Sequence, residues 1–83
     1  GEPEAPPPSP PRGIVAYADL PVAVRSALPP LKIGGYIDGD GEAMLVVDDR
    51  LVHEGDEIGA GVKVVKISPD GSVFGFRGYR FRR

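Results

Sequence analysis

The chain predicts a mainly β fold, a small antiparallel β-domain of about six short strands with one short N-terminal helix, preceded by a Pro-rich linker. Three observations carry this. Short β-branched and aromatic runs recur from Leu31 to the C-terminus, and Gly and Asp clusters punctuate them at intervals typical of small all-β domains. The first dozen residues, GEPEAPPPSPPR, hold six of the ten prolines.

Residues 1–13 read as a disordered or extended tether. Proline removes amide donors and favours polyproline geometry, and the segment has almost no apolar side chain to bury. The domain then occupies residues 14–83. At that size only about 60% of the unfolded surface is buried, which leaves little material for a deep catalytic cleft.

The helix is predicted in ADLPVAVRSALPP, with Asp19 as its cap and Pro21 in its first turn. Leu20, Val24 and Leu28 recur at i, i+4 and i+8 on one face, and Pro29-Pro30 ends it. Six strands follow, in LKIGGYI, AMLVVD, RLVHEG, VKVVKIS, SVFGFR and YRFRR. The alternation in VKVVKI breaks at Val64-Val65, as a bulge or a strand buried on both faces would require. Asp48-Asp49 and Asp70-Gly71 read as tight hairpin turns. In the last hairpin Arg77-Gly78 turns the chain, the aromatics Phe74, Phe76, Tyr79 and Phe81 face inward, and Arg80 and Arg82 face solvent. The expected core is Leu20, Val24, Leu28, Ile33, Val47, Ile58, Val65, Ile67, Val73, Phe76 and Phe81.

The formal net charge of −2 argues against general nucleic-acid binding. Its distribution is uneven: eight acids against one base from Asp38 to Glu57, and six bases against one acid from Lys63 to Arg83. The expectation is that neighbouring strands of opposite charge pair across a sheet. The chain has no cysteine, hence no disulfide or thiolate metal site. It has no apolar run long enough to span a membrane and no visible signal peptide.

YIDGDGEAMLVVDD spaces Asp38, Asp40, Glu42 and Asp49 somewhat like calcium ligands, but a helix-flanked calcium loop needs Gly at its sixth position and Glu at its twelfth. Counted from Asp38 these are Ala43 and Asp49, and the second half is the strand-like AMLVV, so the stretch reads as a turn between strands. His53 is the sole histidine and sits beside Glu54 with no further ligand or nucleophile in view, which makes it a surface strand residue. The glycines of GDGE and GAG lack the strand–loop–helix context of a phosphate cradle. No catalytic, cofactor or metal site is expected.

Leu20-Pro21, Leu28-Pro29 with Leu31 and Ile33, Tyr36, Glu54-Gly55-Asp56, Ile67, Asp70-Gly71, Val73, Gly78 and Phe81 form an ordered set. Together they resemble the C-terminal periplasmic domain of the B component of type II secretion systems, over roughly Tyr17 to Arg82, and that domain is similar to the homology region of the C component. Where the family tends to carry His, Arg and Asn-Gly, this chain has Gly34, Ala43 and Asp48-Asp49. The resemblance implies a periplasmic domain of a bacterial inner-membrane protein, held on a proline-rich tether. It also implies contact with the N-terminal periplasmic domain of the outer-membrane secretin. The ATPase A component and peptidoglycan are further partners it brings into view.

Gly34-Gly35 lets another backbone approach the first strand closely, if that strand lies at an edge; a bulge bending it over the core is the competing reading. The expected partner-binding set is Lys32, Ile33, Gly34, Gly35, Tyr36 and Ile37, with Arg50 and Leu51 on the adjacent strand. The alternative is a small barrel-like nucleic-acid or peptide-binding module using the basic, aromatic C-terminal hairpin.

Overall fold

The structure is a computed structural model and describes residues 13–83. The predicted tether, apart from Gly13, lies outside the described residues. Seven strands form two sheets: β1 (Ile14–Ala16), β2 (Ile33–Gly39), β3 (Glu42–Val47), β4 (Arg50–His53), β5 (Lys63–Lys66), β6 (Val73–Phe76) and β7 (Tyr79–Arg82). One sheet has the order β1-β7-β6-β5 and the other β2-β3-β4. The mainly β prediction holds. The six predicted strands are β2 to β7, and β1 is the addition, pairing parallel to β7 where every other pair is antiparallel.

Three of the hairpins turn on two residues that both have positive φ: Asp40 (52°) with Gly41 (77°), Asp48 (51°) with Asp49 (65°), and Arg77 (51°) with Gly78 (83°). That geometry matches the right-handed twist of the flanking strands, and aspartate tolerates it better than most side chains. The turn after β5 differs from expectation. Pro69-Asp70 rather than Asp70-Gly71 is its central pair, because the Gly71 N–H donates to the Ser68 carbonyl at 3.2 Å. Proline pre-sets φ for the second position of such a turn.

Asp19 does not cap the helix. It closes a 3-10 turn, Tyr17–Asp19, and α1 (Val22–Ala27) begins after Pro21, whose carbonyl accepts from both Val24 and Arg25 N–H at 3.0 Å. Leu20 is buried, and Val24 and Leu28 pack half-buried against the core.

The core joins Leu45, Val47 and Val52 of the three-stranded sheet to Val64, Phe74, Phe76 and Phe81 of the other, closed by Leu20, Leu31, Ile58, Val62 and Ile67. Phe81 packs tilted against Phe74 and Tyr17, at 5.8 and 6.0 Å between ring centroids. Val65 corrects the expected core. The β5–β6 register slips between Val64 and Lys66, so the broken alternation is a bulge, and it leaves Val65 39% exposed and Val64 fully enclosed.

The charge expectation is also corrected. The acidic run folds onto β2–β4 and the loop after them, whereas the basic run folds onto β5–β7, so the two occupy different sheets. They meet at the bridge between Glu57 and Lys63.

Candidate functional site

Among the described residues β2 is the longest strand and lies at the margin of its sheet, with β3 on one side only. A two-residue hairpin fixes which main-chain groups face the partner strand. Gly39–Glu42 closes the turn as a hydrogen-bonded pair, so Ile37–Met44 and Gly35–Val46 are hydrogen-bonded too. Tyr36 and Asp38, opposite Leu45 and Ala43, therefore aim their N–H and C=O groups outward, away from β3.

The two readings of Gly34-Gly35 hold together. The register slips between Ile33 and Gly35, making Gly34 the extra residue of a bulge, and the bulge lies on an edge strand. A Cβ at Gly34 would meet Val46 Cγ1 at 3.4 Å, whereas one at Gly35 would meet nothing within 4 Å. Lys32, just before the strand, is tied to the β3–β4 turn: its N–H donates to Asp48 Oδ1 at 3.0 Å and its carbonyl accepts from Asp48 N–H at 2.8 Å.

The other margins are partly occupied or short. On β4, the outward N–H of His53 donates to Asp56 Oδ2 at 2.8 Å, and its carbonyl accepts from Asp56 N–H at 3.1 Å. On β5, the Val64 carbonyl accepts from Gly55 N–H at 2.7 Å and Val64 N–H donates to the Asp56 carbonyl at 2.8 Å. The EGDE segment thus covers two edges at once, and Glu54 Oε2 anchors it by accepting from Ile67 N–H at 2.9 Å. β1 spans three residues.

Arg50 and Leu51 are not beside β2, as the sequence reading placed them. β3 separates β4 from β2, and Arg50 and Leu51 stand on the opposite margin, lining a shallow depression of about 230 Å³ with Asp56 and Glu57. Leu51 nevertheless shares a face with the β2 glycines, since Gly35, Val46 and Leu51 form one cross-strand row and Ile37, Met44 and His53 the next. Ile37 and Leu51 are 41% and 49% exposed, so this outer face carries an apolar patch kept shallow by its glycines. Tyr36 belongs to the core-side row with Leu45 and Val52, at the sheet's open margin.

Met44 and Val46 escaped the sequence reading. Their signal was the parity of AMLVV: once Leu45 and Val47 are assigned to the core, the alternate residues must face outward. His53 bridges two acids on the same face, with Nδ1 3.6 Å from Asp56 Oδ2 and Nε2 4.0 Å from Glu42 Oε1. Among the described residues no three His, Asp or Glu side chains converge as a metal-ligand set, and no helix is long and apolar enough to cross a membrane.

Among the described residues, two sheets share one core, and the long, glycine-bearing β2 margin has no strand beyond it. The family described as type II secretion system protein B matches residues 28–83, from the end of the helical turn through the last strand. The chain belongs to that family, and its domain is a part of type II secretion. Comparison with curated proteins and with solved structures gives no match.

Proposed function

We propose that this domain is a non-enzymatic assembly and scaffolding module of the secretion system, which binds the N-terminal periplasmic domain of the outer-membrane secretin by accepting one of its strands along β2. The observation that carries the reading is the pair of outward-facing main-chain groups at Tyr36 and Asp38 on a margin that no described strand covers, beside the open space at Gly35. Strand addition takes affinity from such groups and selectivity from flanking side chains, here Ile33, Tyr36 and Ile37. Family membership supports a partner within the secretion apparatus. In this reading the domain works in the periplasm, held on a tether from the inner membrane.

The test separates docking from folding. Proline at Tyr36 or Asp38 removes an outward donor and is tolerated on an edge strand, because no internal ladder bond is lost. Proline at Gly35 removes a donor that faces Val46, so that variant reports on the sheet instead. Asp38→Pro should weaken binding to the isolated secretin domain at least about tenfold. Its melting temperature should stay within about 5 °C of the parent. Unchanged affinity in a folded Asp38→Pro protein would remove β2 as the docking edge.

A further inference from the structure

The sheet on the far side of the core presents a different surface. Lys63 pairs with Gly75, Gly75 with Arg80, and Arg80 with Ile14, which makes one row across four strands. Lys66, Val73, Arg82 and Ala16 make the next. In a regular strand Lys63 and Lys66 would face opposite sides, since side chains alternate. The bulge at Val65 inserts one residue and returns Lys66 to the face of Lys63.

Four cations therefore stand on one side of a sheet, Lys63 and Lys66 on β5 and Arg80 and Arg82 on β7, about 10 Å apart across the intervening strand. Between them the floor is low. Gly75 has no side chain, and Val65 lies over it, with Val65 Cγ2 3.3 Å from where a Gly75 Cβ would be. Val65 and Ile14 are 39% and 48% exposed, so aliphatic surface is interleaved with the charges. Two acids border the patch: Glu57, opposite Lys63 in an antiparallel bridge, and Asp70, in a hollow of about 230 Å³ between Lys66, Arg82 and Ile14.

We propose that this basic outer face of β5–β6–β7 docks on the anionic headgroup surface of a phospholipid membrane. A flat arrangement of cations with exposed aliphatic residues suits a planar, negatively charged interface, where lysine and arginine are drawn to headgroups and short apolar side chains meet the acyl boundary. A single-stranded nucleic acid would need aromatic stacking platforms beside the cations. Here Phe74, Phe76 and Phe81 are buried in the core on the opposite side of the sheet. Segregation of charge is what makes docking feasible, since a chain of net charge −2 with mixed charges would be repelled by an anionic surface.

The experiment is flotation of the 83-residue chain with phosphatidylcholine vesicles, with and without one-third phosphatidylglycerol. Binding should require the anionic lipid and fall steeply as ionic strength rises from about 0.05 to about 0.3 M, where screening shortens the reach of each charge. The double variant Lys63→Gln/Lys66→Gln should lower partitioning roughly 25-fold, at roughly fivefold per lysine, with its circular dichroism melt unchanged. Glu42→Gln on the other sheet should not lower it, and neither should Asp38→Pro, so loss of secretin binding and loss of lipid binding are read separately. Absence of vesicle binding would overturn the proposal. So would equal partitioning by the folded double variant, or tighter binding to a single-stranded oligonucleotide or to peptidoglycan than to the vesicles.

Discussion

Asp48 and Lys32 clasp each other through two hydrogen bonds, with Asp48 N–H donating to the Lys32 carbonyl at 2.8 Å and Lys32 N–H to Asp48 Oδ1 at 3.0 Å. The residue that turns β3 into β4 thereby also fixes where β2 begins, so the start of β2 is set by the turn that ends its neighbouring strand. Asp48→Ala should destabilise the domain by about 1–2 kcal/mol, because it removes the acceptor and places alanine at positive φ. Asp49→Gly should stabilise it by up to about 1 kcal/mol, since Asp49 sits at φ 65° in a turn that favours glycine at its second position. Thermal melts of the two variants, displaced in opposite directions, check both.

Val64 and Val65 are adjacent and chemically identical, yet the bulge gives them opposite environments. Val64→Ala should cost about 2 kcal/mol as a buried truncation, and Val65→Ala no more than about 0.5 kcal/mol as a surface change. Urea midpoints measure the contrast. Equal effects would contradict the assigned register.

Glu54 holds the EGDE segment through Ile67 N–H, so Glu54→Ala should leave that donor without its partner and cost about 1–3 kcal/mol. Glu54→Gln keeps an oxygen acceptor and should cost less. Amide exchange at Ile67 and at Gly55, whose bond to Val64 depends on the same segment, should accelerate in the alanine variant ahead of exchange in β3.

The strands were legible because β-branched and aromatic runs and positive-φ turn residues are local signals. Asp48-Asp49 and Arg77-Gly78 needed no distant partner to be recognised, and the inward parity of Phe74, Phe76 and Phe81 followed from alternation. β1 was not legible, because IVA is too short to carry a period and its pairing with β7 is decided at the other end of the chain. Val65 was misplaced for a related reason. A bulge shows in sequence as a broken alternation, but which of two valines turns outward depends on the partner strand. At the candidate site, Gly34-Gly35 signalled an irregularity in the strand, while its place at an edge and the position of Arg50 and Leu51 depended on strand order, which no local pattern encodes. The opposite charges of the two halves were plain in the sequence, but their assignment to separate sheets needed the topology.

The pairing of β1 with β7 sets an order for assembly. The β2–β3–β4 meander is built from hairpins closed by two residues each, so its loop-closure entropy is small and its contacts are local. The other sheet cannot be completed until Arg80, Phe81 and Arg82 exist to receive Ile14, Val15 and Ala16, which are the first described residues to be synthesised but one. During synthesis the chain therefore carries Val15 and Tyr17 without their final neighbours until β7 has left the ribosome. Completion of the fold thus doubles as a check that β7 has been made, since a product truncated before it lacks both Phe81 and the strand that holds β1.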